Sequence, residues 1–125
     1  MFSAYQIAAN GTLTPVAGSP FLTGPNSGSV VVDPLGRFVY LANLFDIVSG
    51  YRIAGNGALT PLPGSPFEVG FQPDSMVVDL SGRFLYMANG HNVSGYRIAG
   101  NGALTPLPGS PFLTGFSPSS MAVSP

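Results

Sequence analysis

Residues 49–67 read SGYRIAGNGALTPLPGSPF, and residues 94–112 repeat these nineteen residues without a change. A looser copy, SAYQIAANGTLTPVAGSPF, fills residues 3–21. The copies are offset by 46 and then 45 residues, and the segments between them repeat as well. The chain is therefore a tandem repeat, and its fold is read one period at a time.

Within the quoted stretch, Tyr51 and Ile53 share one face of a short strand, and Gly50 and Arg52 share the other. We label this strand run C, from Val48 to Ala54. Asn56-Gly57 follows and signals a tight hairpin. Run D, Ala58 to Leu62, carries Pro61, which cannot donate to a ladder, so run D is expected at an outer edge. Pro63 to Phe67 then leads to the next period, and its P-x-x-P spacing reads as a rigid connection.

Outward from that stretch lie two further runs. Run A is Ser29-Val30-Val31-Val32-Asp33, then Ser75-Met76-Val77-Val78-Asp79, then Ser120-Met121-Ala122-Val123-Ser124. It is apolar on both faces, as in a strand covered from both sides. Asp33-Pro34-Leu35-Gly36-Arg37 and Asp79-Leu80-Ser81-Gly82-Arg83 follow as turns, with Asp to bond the backbone ahead and Gly for the reversal. Run B is Arg37 to Asn43, matched by Arg83 to Asn89, with aromatics alternating with aliphatics.

Four antiparallel strands in a period of about 45 residues, with an apolar inner strand and a Pro-bearing outer edge, describe a β-propeller blade. The expected class is all-β, without helices. Residues 1–125 form one repeat unit: runs C and D of a first partial blade with their linker at 1–27, a second blade at 28–72, a third at 73–117, and the inner strand of a further blade at 118–125.

The order Y-x-I, G-x-L-T-P-x-x-G-S-P-F, then S-x-x-V-D-x-x-G-R-F-x-Y-x-A-N, resembles the lactonase-type propellers, the group that includes 6-phosphogluconolactonase. The resemblance covers essentially the whole chain, and the residues that carry it are those that build blades. It implies a ring of seven blades and, in the enzymes, a central site using His, Glu and Arg. Neither His91 nor Glu68 matches such a motif, so no site residue is carried over. The blades are unlike WD40 blades, having no Gly-His before a blade and no Trp-Asp at its end.

Eleven expected strands make two and three-quarter blades, whereas a ring takes roughly four to eight. The expectation is a propeller incomplete in one chain, closed by other chains or by further residues.

Composition narrows the functions. Only 7% of residues are charged, with four Arg, no Lys and a net charge of −1. Such a surface is weakly defended against association. No basic patch exists to neutralise phosphates in series, which argues against nucleic acid. Without Cys there is no disulfide, thiol nucleophile or thiolate metal site. No apolar run approaches the length of a membrane span, and MFSAYQIAANG lacks the layout of a signal peptide. The compartment stays open, secretion or the cell surface included.

The candidate site residues are few. His91 is the single His, placed in a loop between runs B and C with no counterpart in the other periods, and it reads as a loop residue rather than a catalytic base. Arg37 and Arg83 face their hairpin Asp and read as turn stabilisers. Arg52 and Arg97 read as solvated, and since no second cation converges on either set in sequence, anion binding is the lesser reading. Asp33 and Asp79 could ring a propeller axis and attract a cation, but their third equivalent is Ser124, so turn capping is the better account. Gly55-Asn56-Gly57 leads into a strand and is no dinucleotide fingerprint. No G-x-S-x-G occurs. Asn10-Gly11-Thr12 and Asn92-Val93-Ser94 are sequons, relevant in a secreted eukaryotic chain.

These readings give no catalytic, metal or cofactor-binding residue and no cofactor. The leading function is a non-catalytic structural or binding module that self-associates, as a homo-oligomer or filament, through blade faces and edges. One alternative is a fragment of a hydrolase acting on sugar lactones. Another is a glycan or peptide binder in which Tyr5, Tyr51 and Tyr96 stack on the ligand.

Overall fold

The computed structural model describes residues 3, 5–16, 27–43, 47–69, 73–89, 92–110 and 112–113. Their regular structure is entirely β-strand, so among them no helix could cross a membrane. Strands β1 (Tyr5–Ile7) and β2 (Leu13–Pro15) form a hairpin. Strands β3 (Ser27–Val32), β4 (Phe38–Asn43), β5 (Ile47–Ile53) and β6 (Leu59–Pro61) form an antiparallel sheet in chain order, and β7 (Phe67–Glu68) returns to β5. Strands β8 (Pro73–Val78), β9 (Phe84–Asn89), β10 (Asn92–Ile98), β11 (Leu104–Pro106) and β12 (Phe112–Leu113) repeat that sheet. These are propeller blades, with runs A to D as β3–β6 and β8–β11. The expected inner strand at Ser120–Ser124 and the loop residue His91 lie outside the described residues.

Local chemistry explains the turns. Asp33 accepts the N–H groups of Leu35 and Arg37, each at 3.2 Å, and Gly36 N–H closes the turn on the Asp33 carbonyl at 2.8 Å. Asn56 Oδ1 accepts the Ala58 N–H at 3.0 Å, as Asn10 and Asn101 do for Thr12 and Ala103. The Ala54 and Ala58 backbones bond across a three-residue loop, a longer hairpin than the two-residue turn that Asn-Gly favours.

Run D departs from the sequence reading. It pauses after Pro61, bulges out, and resumes as β7 beside the other half of β5. Pro63-Gly64 makes the bulge: Ser65 N–H bonds the Leu62 carbonyl at 3.0 Å, with Gly64 at φ 82°, the positive value that a type II turn needs. The turn withdraws the backbone from Gly50 N–H, and the Ser65 hydroxyl accepts that proton instead at 2.9 Å. Leu107, Gly95 and Ser110 repeat both bonds in the next blade. So P-x-x-P here is a turn inside the blade edge, more than a connection between blades.

The two sheets pack face to face, β3 and β4 against β8. Period-2 alternation puts Phe38, Tyr40 and Ala42 of β4 on one face. With Val48 and Leu62 they bury Met76, Val78, Leu85, Met87, Tyr96 and Ile98 of the β8–β11 blade in one core cluster. Gly50 pairs with Tyr40 across the strands, and a Cβ there would come within 3.2 Å of the Tyr40 ring and 2.8 Å of Leu62. The bare glycine lets both side chains cross it.

Candidate functional site

The strand register gathers the cations at one rim. Arg37 and Arg83 close the hairpins between the first two strands of each blade. Arg52 pairs with Phe38 across β4 and β5, and Arg97 with Phe84 across β9 and β10, at that same end. All four arginines of the chain therefore share the rim, whereas Glu68 pairs with Ile47 at the opposite end.

Each phenylalanine ring takes two guanidinium groups. Arg37 and Arg52 lie 4.9 and 5.3 Å from the centre of Phe38. Arg83 and Arg97 both lie 5.4 Å from the centre of Phe84. These are cation–π distances. The convergence that sequence spacing hides, with fourteen residues between Arg37 and Arg52, is produced by the hairpin pairing β4 with β5.

The two rings differ in their acids. Asp33 is buried and holds Arg37 Nε at 2.8 Å, and Arg37 Nη2 reaches on to the Gly82 carbonyl of the next blade at 3.1 Å. At the second hairpin Ser81 replaces Leu35. Its hydroxyl donates to Asp79 and accepts Arg83 Nε at 3.0 Å, so serine stands between acid and base. The expected pairing of Arg with its hairpin Asp holds for Arg37 and is interrupted for Arg83. Burial raises the Asp79 pKa, but hydrogen bonds from the Ser81 hydroxyl and from the Phe84, Arg83 and Ser81 N–H groups outweigh it, leaving the carboxyl below its ordinary value. Both carboxylates turn into their own hairpins. Among the described residues no cluster of metal-ligating side chains forms.

The tyrosines of run C have different fates. Tyr96 is buried, and burial raises its phenol pKa against the lowering effect of a Ser94 hydrogen bond. Tyr51 is half-buried, and Tyr5 is half-exposed. Tyr5 lines an apolar groove of about 390 Å³ between the β1–β2 hairpin and the β3–β6 blade, with Val16, Val30, Val32, Val39 and Leu59. Of the sequon asparagines, Asn10 is exposed, while Asn92 Oδ1 is buried without a partner among the described residues.

Solved structures share this arrangement of strands. A candidate 6-phosphogluconolactonase from Bacteroides fragilis superposes with a TM-score of 0.77 at 19% identity, over 94% of this chain and 34% of its own. The periplasmic gluconolactonase of Pseudomonas aeruginosa gives 0.67 at 22%, over 90% of this chain and 35% of its own. This is the lactonase-type propeller fold. A protein of unknown function from Desulfotomaculum acetoxidans gives 0.75 at 22%, over 89% of this chain and 34% of its own. The chain thus spans about a third of the length of these structures. No family model and no curated protein sequence matches it. The likeness bears out the all-β propeller class read from the repeats, at identities that speak for the fold alone.

Proposed function

We propose that the chain is a blade-supplying module that completes its propeller wall by associating with further copies of itself. One observation carries the reading. Met76 and Val78 of β8 are 7% and 5% exposed beneath the β3–β6 blade, whereas their counterparts Val30 and Val32 of β3 are 55% and 53% exposed. Among the described residues the hairpin covers the outer part of that face, Val16 resting on Gly57, and leaves Val30 and Val32 about half exposed in the groove beside it. Because the blades are near-copies, a second chain offers the side-chain types that already cover Met76 and Val78. An apolar strand face of this kind is a site of association.

Light scattering on a size-exclusion column tests this. A mass above the 12.8 kDa of one chain, reduced by Val32→Glu, is the expected result. A compact monomer whose mass Val32→Glu leaves unchanged would overturn the reading.

The gluconolactonase among the structural neighbours supports a second reading, a portion of a lactone hydrolase. Such a reaction needs an acid or base beside an electrophilic stabiliser. Turnover of glucono-δ-lactone above the spontaneous rate, lowered by His91→Ala, would favour it. No turnover by the assembled protein would count against it.

A further inference from the structure

Four arginines crowd onto two phenylalanine rings, and the two pairs are not equivalent. At Phe38, Arg37 is engaged: its Nε holds Asp33 and its Nη2 holds the Gly82 carbonyl. At Phe84, the Arg83 guanidinium bonds through Nε to the Ser81 hydroxyl, and among the described residues no carboxylate forms an ion pair with Arg83 or Arg97. Asp79 lies nearby, but Ser81 and the N–H groups of Arg83 and Phe84 engage its oxygens. Two exposed guanidinium groups thus sit on one half-buried ring. Like charges held together repel, and an anion between or beside them relieves that repulsion. Guanidinium forks match the paired oxygens of phosphate and carboxylate groups, and the ring between them restricts where the forks go.

We propose that Arg83 and Arg97, arrayed on Phe84, bind a small oxyanion, the phosphate or carboxylate group of a ligand. The Arg37 and Arg52 pair is the weaker site, because Asp33 already neutralises Arg37. Ser81 is the residue that makes the difference, since it occupies the acid that would otherwise hold Arg83. The site lies on the outward face of the β8–β11 blade; its counterparts Phe38 and Arg37 are covered by and bonded to the following blade, so a further copy docked there would compete with the anion.

The chain has four arginines and no lysine, so nitrogen-15 spectra of the full chain carry four arginine Nε–Hε signals that can be assigned and followed. Inorganic phosphate is titrated in low-salt buffer, with acetate in a parallel arm and chloride at matched ionic strength as control. The Arg83 and Arg97 signals are expected to move together and saturate while Arg37 stays in place. Arg97→Gln is expected to weaken the Arg83 response about tenfold, the loss of one charge-assisted contact. Ser81→Leu, which restores the residue type of the first hairpin on an exposed turn, is expected to weaken it as well by returning Asp79 to Arg83. Tighter binding of phosphate than acetate assigns a phosphate ligand, and the reverse a carboxylate. Equal shifts with chloride, or an Arg83 response unchanged by Arg97→Gln, would overturn the proposal.

Discussion

The Tyr40 phenol donates a hydrogen bond of 2.7 Å to the Gly102 carbonyl, joining β4 of one blade to the β10–β11 turn of the next. Both groups are buried, and sixty-two residues separate them in the chain. Leu62 and Phe38 close over the same turn. Blade packing is therefore fixed by one directional bond within an apolar contact, and Arg37 to Gly82 adds a second polar link at the rim.

Tyr40→Phe keeps the ring and removes the donor. The Gly102 carbonyl is left buried without that partner, and the expected cost is about 1–3 kcal/mol in urea unfolding. Burial raises the Tyr40 phenol pKa, the Asp33 charge raises it further and Arg37 lowers it, so the folded value stands above the ordinary 10.0. An acid whose pKa is raised by folding holds its proton longer in the native state. Its stabilising effect is complete below pH 10 and is lost as pH rises through the folded value. The parent is thus expected to lose stability above pH 10 more steeply than Tyr40→Phe, with Tyr96 supplying the alkaline dependence that remains.

Gly102→Ala attacks the same contact from the backbone. Gly102 sits at φ 89°, and a Cβ would approach within 2.7 Å of Leu62 Cδ1 and 3.0 Å of Phe38 Cδ1. The left-handed backbone costs roughly 1–2 kcal/mol for a side-chain-bearing residue, and overpacking adds about 1–3. Gly57→Ala meets the same backbone strain, but its Cβ strikes Val16 of the N-terminal hairpin, at 2.6 Å. Hydrogen exchange separates the two: Gly102→Ala is expected to speed exchange in both blades, and Gly57→Ala chiefly in Tyr5–Pro15.

How far these features are legible in sequence depends on their range. The Asp33–Arg37 and Asn56-Gly57 turns are readable because each turn is written in adjacent residues. The blade is readable because run A is apolar on both faces and Pro61 marks an edge. The break in run D is half readable: Pro63-Gly64 announces a turn, yet nothing local says that the Ser65 hydroxyl will replace a strand carbonyl at Gly50. The pairing of Arg37 with Arg52 on Phe38 needs the register of two strands, and Tyr40 with Gly102 needs the packing of two blades. Neither distance is encoded in a spacing that a single chain displays.

The two hairpin acids differ in burial and in partner. Asp33 is 1% exposed and holds Arg37, whose side chain is 37% exposed, so Asp33→Asn unpairs a partly screened cation and loosens its reach to Gly82. The expected loss is roughly 1–3 kcal/mol, below that of a fully buried pair. Asp79 lies at a more open turn, and Asp79→Asn is expected to cost less than about 1 kcal/mol at neutral pH. Acid reveals what Asp79 contributes. Its folded pKa lies below the ordinary 3.8, so its stabilising effect is present above that value and disappears as pH falls through the folded one. Urea midpoints measured from pH 6 downward are therefore expected to fall less steeply for Asp79→Asn than for the parent in the range below pH 3.8. Parallel curves would mean that the Ser81 hydroxyl and the hairpin N–H groups bond the protonated acid as well as the carboxylate.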